Sequence, residues 1–183
     1  MKWTIDTARS RVEFVARYVG ISTIEGRFTR VRGTVETTED GQLKAIEAFI
    51  PAASVDTGVS ERDTHLRSPD FLDAAKYPEL TFRAAAIERL GDGQYRVRGE
   101  ITIRDRTHGT VFQVDTSPQV IDGLGGRRAR ASATGTFSRR EWGLAWDRIL
   151  RFGGLLIADE MYFSLNIEAV ADASTPVLRS TSP

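Results

Sequence analysis

The sequence contains no cysteine, and its other shortages narrow the possible functions further. Without cysteine among its 183 residues, the chain has no disulfides, thiolate metal sites or cysteine nucleophiles. His65 and His108 are its only histidines and no calcium-loop spacing occurs, so no metal site is predicted. Positive and negative charges balance, at 25 residues each. This balance gives no electrostatic indication of a nucleic-acid partner or an anionic membrane.

Long hydrophobic runs are also missing. No stretch approaches the roughly 18 apolar residues of a membrane-spanning helix, so no integral membrane segment is predicted. The first ten residues lack the apolar core of a secretory signal, and we therefore expect a cytoplasmic protein. The length suits one large domain. We expect a single domain over residues 1–170 and a flexible tail, rich in Ser, Thr and Pro, over residues 171–183.

Alternation of apolar and polar residues with period two is abundant. It is clear at residues 11–18, 46–50, 80–86 and 161–169, and it is typical of antiparallel strands with one buried face. In the third run it places Phe82, Ala84 and Ala86 on the same inner face. Turn signals at residues 39–41 and 91–93 separate the runs. Together these patterns predict an all-β sandwich or barrel.

One predicted strand has an inner face on which four successive side chains are small. This face consists of Ala129, Ala131, Ala133, Gly135 and Phe137. A closed eight-stranded barrel is either filled by side chains or holds one small ligand, and filling requires bulky residues. The pattern therefore favours an elongated apolar cavity. The alternative is that an internal helix, a second sheet, or Trp142 and Trp146 packs on the small residues, and a sandwich would show the same alternation.

A polar cluster lies in residues 60–75, which lack the strand alternation and for which we predict short helical turns. Arg62, Asp63 and His65 are close together there, but a catalytic site is defined by geometry in space, and no nucleophile-elbow motif occurs. The alternative is a hydrogen-bonded network that orders this crossover. Arg139, at the end of the alanine-rich strand, either meets a ligand head group at a barrel mouth or pairs with an acid such as Glu141.

Several sequence blocks carry a family resemblance. In chain order they are residues 3–6 (WTID), 9–14 (RSRVEF), 24–28 (IEGRF), 53–57 (ASVDT), 62–66 (RDTHL), 70–73 (DFLD), 77–82 (YPELTF), 99–103 (GEITI) and 137–144 (FSRREWGL). Together they resemble the YceI-like family, the lipocalin-like polyisoprenoid-binding proteins. The resemblance implies an extended eight-stranded antiparallel barrel with a short helical crossover around residues 60–75. It also implies a homodimer, since members of the family are often homodimers. It implies no catalytic residues and no cofactor.

The resemblance further implies that the barrel holds a long-chain isoprenoid, such as a prenyl quinone, or a similar amphiphilic lipid in an apolar tunnel. Carriage, storage or scavenging of this lipid is then the expected role. The inner-face residues predicted to line the tunnel are Phe14, Ala16, Tyr18, Phe28, Ile46, Ala48, Ile50, Phe82, Ala84, Ala131, Ala133, Phe137, Trp142, Phe163, Leu165 and Ile167.

Arg62, Asp63, His65 and Arg139 are the candidate polar network at the mouth or crossover of the barrel. Two other functions stay open at this point. One is an enzyme that uses Asp63, His65 and Arg139 on a small substrate. The other is a protein-interaction module with a solid core.

Overall fold

The computed structural model of the protein describes residues 1–18, 23–121, 126–144 and 157–172. Within these ranges the chain forms eleven strands and one α-helix. The strands are β1 (Lys2–Ile5), β2 (Arg11–Tyr18), β3 (Thr23–Phe28), β4 (Arg32–Thr37), β5 (Leu43–Pro51), β6 (Val55–Asp56), β7 (Glu79–Gly91), β8 (Gln94–Ile103), β9 (Arg106–Ile121), β10 (Arg127–Ser138) and β11 (Ile157–Ala171). A 3₁₀ turn spans Ala52–Ser54, and helix α1 spans Ser60–Arg67.

The strands close into an eight-stranded antiparallel barrel. The ring runs β1-β4-β5-β7-β8-β9-β10-β11, and β11 returns to β1 through the pairs Ala169↔Ile5 and Ala171↔Trp3. This arrangement confirms the predicted all-β barrel and excludes the sandwich. The predicted tail lies outside the described residues from position 173 onward, as do most of the glycine-rich segment at 122–126 and Trp146.

Two positions of the ring hold interrupted strands. β11 pairs with β2 along its first part, for example Phe163↔Phe14, and with β1 along its last part. β2 and β1 are therefore two sections of one wall strand, separated by a turn at residues 6–10. β3 and β4 are related in the same way, since β3 pairs with β2 and β4 pairs with β1. The predicted turns at 39–41 and 91–93 join neighbouring strands as expected.

A β-bulge changes which residues of β7 face inward. The register with β8 shifts between Ala84↔Gly99 and Ala86↔Arg98. Ala86 is exposed, while Ile87 packs against the interior. The prediction that Ala86 shares an inner face with Ala84 was wrong, because the extra residue of a bulge reverses the alternation beyond it.

The predicted crossover is present between β5 and β7. It lies at the end of the barrel opposite the turns at residues 39–41 and 91–93, which we call the lower end. Its only α-helix within the described residues is α1, whereas residues 68–77 form successive turns. Arg67 fixes the helix to the barrel wall, because its guanidinium donates to the carbonyls of Ala53 (3.0 Å) and Val55 (2.6 Å). Leu72, in the following turns, is buried against the barrel core and closes that end.

Candidate functional site

The barrel encloses an apolar cavity in its upper half, the half nearer the turns at residues 38–42 and 91–93. This upper compartment has a volume of about 150 Å³. Every described strand except β6 contributes to its walls, and no charged side chain of the described residues lines it. Ala131 and Ala133 face inward there but stay only half-buried, since cavity space lies over them. The small inner face of β10 therefore does contribute to a hollow interior.

A second apolar cavity lies below the first, between the barrel floor and the crossover. This lower compartment has a volume of about 80 Å³. Leu66, Phe71 and Leu72 of the crossover form its underside, and Arg62 and Arg139 are the only charged residues among the described ones at its wall. Five side chains line both compartments, so these two cavities meet at a common partition: Phe28, Leu80, Ile103, Phe137 and Phe163.

Most of the predicted lining residues lie at these walls. The upper compartment receives Phe28, Ile46, Ala48, Ile50, Phe82, Ala131, Ala133, Phe137, Phe163, Leu165 and Ile167. The lower compartment receives Phe14 and Ala16. Ala84 packs against the buried cluster of Tyr95, Val97, Phe112 and Val114 without reaching either cavity wall. The side chain of Tyr18 lies outside the described residues.

Trp142 occupies a different place from the predicted one. It is buried, with 1% of its surface exposed, and its indole N–H donates to the carbonyl of Ile101 at 3.0 Å. Its ring lies behind Phe137, with centroids 4.6 Å apart, and reaches the wall of neither compartment. Trp142 therefore packs against the cavity-lining side chain of Phe137 from a position outside both cavities.

Sequence reasoning missed the wall residues of β8 and β9. Val97, Ile101 and Ile103 of β8 line the upper compartment together with Phe112 and Val114 of β9. The signal was available, because these residues alternate with charged and polar neighbours as the recognised strands do. The crossover residues under the lower compartment follow no such alternation, so this pattern could not identify them.

Part of the space above small residues is filled by aromatic rings from neighbouring strands. Gly135 faces Phe112 across the β9–β10 pair, and a Cβ added at Gly135 would lie 2.7 Å from the Phe112 ring. The expectation that Gly135 leaves cavity space was therefore wrong. Gly99 accommodates Phe82 in the same way, with a Cβ-to-ring distance of 2.5 Å. Because neither glycine has a Cβ, each ring can lie directly against the backbone of the neighbouring strand.

A wide vestibule with a polar rim adjoins the upper compartment at the top of the barrel. The vestibule has a volume of about 630 Å³ and shares Val35, Leu43, Ala131 and Ile167 with the compartment below. Its rim carries charged and amide side chains, which include Glu39, Asp40, Gln42, Arg89, Asp92, Gln119 and Arg127. Arg127 donates to the amide oxygen of Gln119 at 2.5 Å. Hydrogen bonds from Thr38 and Gln42 lower the pKa of Asp40, so this rim carboxylate is ionised at neutral pH.

The four predicted polar residues do not form one network: Arg62 and Asp63 meet at Thr57, whereas His65 and Arg139 have other partners. Asp63 is buried and accepts hydrogen bonds from the backbone N–H and the hydroxyl of Thr57, at 2.9 and 2.6 Å. Arg62 donates to the same hydroxyl at 2.7 Å. The imidazole Nε2 of His65 lies 3.7 Å from a carboxylate oxygen of Asp70. Residues two apart on a helix do not face each other, so Asp63 and His65 lie on different sides of α1.

Arg139 holds the lower end of β10. Its guanidinium donates to the carbonyls of Leu144 (2.7 Å) and Ala158 (3.2 Å), and only 4% of the residue is exposed. The adjacent Asp159 accepts from the Ser138 hydroxyl at 2.5 Å and from the backbone N–H of Arg140 at 3.1 Å. Burial would raise the pKa of Asp159, but these hydrogen bonds prevail and lower it. These contacts stabilise the turn that follows β10.

A cluster of charges on the outer surface joins β10, β11 and the turn at residues 6–10. The carboxylate of Glu168 lies 3.0 Å from Arg128, 3.0 Å from Arg130 and 3.3 Å from Arg9, and 8% of its side chain is exposed. Asp6 lies 3.0 Å from Arg128. Burial opposes ionisation of Glu168, but the arginines outweigh it and hold its pKa below the ordinary value. The cluster lies outside both compartments and stabilises the closure of the barrel.

In the part of the chain that the structure describes, the one α-helix is eight residues long, too short to span a bilayer. No group of three His, Asp or Glu side chains in those residues is arranged to hold a metal ion.

Comparison with known proteins identifies relatives along nearly the whole chain. The YceI-like domain model matches residues 3–169. The protein YceI of Escherichia coli O157:H7 is 32% identical over 137 residues, which cover 74% of this chain and 71% of that protein. A UPF0312 protein of Vibrio cholerae is 30% identical over 145 residues, which cover 78% of this chain and 77% of the relative.

Solved structures share the fold at lower identity. BcnA of Burkholderia cenocepacia superposes with a TM-score of 0.76 at 21% identity, over 90% of this chain and 98% of that one. A polyisoprenoid-binding domain of Saccharophagus degradans, implicated in plant cell wall breakdown, gives a TM-score of 0.72 at 14% identity, over 93% and 98% of the two chains.

Proposed function

The chain belongs to the YceI-like family, and from this premise we propose that it binds a long-chain isoprenoid or a similar amphiphilic lipid inside its barrel. One observation carries the proposal: an interior lined by apolar side chains lies directly below a vestibule with a polar rim. An apolar chain with a polar end matches this sequence of environments. The similar domain of Saccharophagus degradans is described as a polyisoprenoid-binding domain, which supports the choice of lipid class.

The affinity of such a ligand comes from burial of its chain. Each methylene-sized group removed from water contributes about 0.8 kcal/mol, and none of the described residues that line the upper compartment carries a charge for specific recognition. We therefore expect chain length and branching to affect affinity more than head-group chemistry. In this proposal the chain occupies the compartment and the head group stays among the charged and amide side chains of the vestibule rim.

A non-catalytic role in carriage, storage or scavenging fits the polar residues best. Asp63 and Arg139, the candidate catalytic groups, hold backbone and hydroxyl groups of the scaffold. We further propose a cytoplasmic homodimer, which sedimentation of the purified protein and cell fractionation would test.

The binding proposal is tested by native mass spectrometry of the purified protein and by solvent extraction of the same sample. We expect a co-purifying lipid, or uptake of an added prenyl quinone at one molecule per chain. If no lipid is extracted and the added quinone leaves the mass unchanged, the proposal is refuted.

A further inference from the structure

A band of aromatic rings follows the barrel wall across the adjacent strands β3, β2, β11 and β10. Successive centroids are 5.6 Å apart for Phe28 and Phe14, 6.1 Å for Phe14 and Phe163, and 4.6 Å for Phe163 and Phe137. Phe163 and Phe137 are stacked, with an angle of 21° between their planes. Trp142 supports Phe137 from the other side at 4.6 Å.

Phe137 and Phe163 belong to the set of side chains that line both compartments, together with Phe28, Leu80 and Ile103. We propose that this partition limits how far a lipid chain enters from the vestibule, and that Phe137 and Phe163 thereby determine which chain lengths bind best. The inference rests on the proposed function, since it assumes a lipid chain in the upper compartment.

The depth above the partition follows from the strand geometry. Ala131, which lines both the vestibule and the upper compartment, is six residues before Phe137 on β10. This separation corresponds to roughly 20 Å along a strand, or about 15 Å along the axis of a barrel whose strands tilt by about 40°. A short isoprenoid fills that depth. The remainder of a longer chain stays in the vestibule or in water unless the stacked rings separate.

The partition predicts a particular dependence of affinity on chain length. Each buried methylene-sized group strengthens binding roughly fourfold, so affinity rises steeply while the chain fills the upper compartment. Beyond that length, added isoprene units contact no apolar wall and contribute little. Removing a partition ring joins the two compartments and moves this limit to longer chains.

The test measures binding of farnesol, geranylgeraniol and solanesol to the full chain by native mass spectrometry in direct competition. For the unmodified protein we expect geranylgeraniol and solanesol to bind within about threefold of each other, since less than one further buried methylene separates them. For Phe137→Ala we expect solanesol to gain at least tenfold over farnesol. Phe137→Leu and Phe163→Leu, which keep more of the packing, should give smaller shifts in the same direction.

Two matched variants separate the partition from general enlargement of the cavity. Phe82 lines only the upper compartment, so Phe82→Ala should change affinity for all three alcohols without changing the length at which affinity levels off. Phe14 lines the lower compartment but not the upper one, so Phe14→Ala should leave the length preference unaltered by itself. Combined with Phe137→Ala, it should extend the preference for solanesol. Thermal melting of each variant verifies that it is folded.

The outcomes distinguish the two proposals. If the unmodified protein binds none of the alcohols, the proposed function fails. If affinity rises steadily through solanesol, or if the folded Leu variants keep the original length preference, the partition has no such role while lipid binding stands.

Discussion

Replacing Ala133 by Leu adds three carbon atoms to the inner face of β10, at a position where the structure has cavity space. Ala133 lines the upper compartment and pairs with Leu165 on β11 and Val114 on β9, which line it too. The new side chain would project into about 150 Å³ of apolar space. It should therefore be accommodated with little strain, and the free energy of unfolding should change by less than about 1 kcal/mol.

The same substitution should weaken lipid binding strongly. The added carbons occupy space that three methylene-sized groups of the ligand would fill. Displacing these groups costs about 2.4 kcal/mol, or roughly 50-fold in Kd. Urea denaturation gives the first quantity, and displacement of a bound prenyl quinone gives the second. Ala86→Leu is the matched control, because Ala86 is exposed beyond the bulge of β7, and neither quantity should change there.

A solid interior predicts the opposite pair of results. In that case Ala133→Leu would overpack the core and lower the free energy of unfolding by about 1–3 kcal/mol. Such a loss, with lipid binding absent or unchanged, would refute the hollow interior and favour the protein-interaction module. A stable variant that still binds the quinone with unchanged affinity would place the lipid elsewhere.

Three further predictions concern the scaffold. His65→Ala should cost less than about 1 kcal/mol of stability, because the His65–Asp70 contact is partly exposed; lipid binding should persist, and its loss would contradict the assigned role. Glu168→Gln should destabilise the protein by about 1–3 kcal/mol at neutral pH. The lowered pKa of Glu168 means that its contribution is complete above its ordinary value of 4.5 and is lost as the pH falls through the folded-state pKa. The difference in melting temperature should therefore shrink on acidification, and a constant difference down to pH 3 would refute this. Gly99→Ala should cost about 1–3 kcal/mol, since its Cβ would lie 2.6 Å from the carbonyl oxygen of Arg83. Gly109→Ala, with no atom within 4 Å of its added Cβ, should have no measurable effect in the same denaturation assay.

The sequence predicted which residues form the wall of the barrel better than it predicted which side chains fill the interior. Alternation along β10 and β11 predicted an inner face with Ala131, Ala133, Leu165 and Ile167, and these residues line the upper compartment, because period two follows from the strand backbone itself. It failed at Ala86, where a bulge shifts the phase without a signal in the residue types.

The contents of the barrel depend on contacts between distant strands. Phe112 fills the space above Gly135 from the neighbouring strand, and no local pattern at Gly135 indicates this. The partition likewise brings together Phe28, Phe137 and Phe163 from three strands. Which rings meet there is decided by register and by rotamer choice in three dimensions.

The seam between β11 and the β1–β2 wall strand has a consequence for the order of folding. Most of the ring pairs strands that are close along the chain, whereas the seam joins residues such as Ile5 and Ala169. Contacts of such large sequence separation carry a high entropic cost and slow the formation of the structure that contains them. The meander from β4 to β11 has most of its contacts available before the seam forms, so we expect an open, curved sheet to precede the closed ring. In that open sheet we expect the apolar inner face to be accessible along its whole length until the seam encloses it.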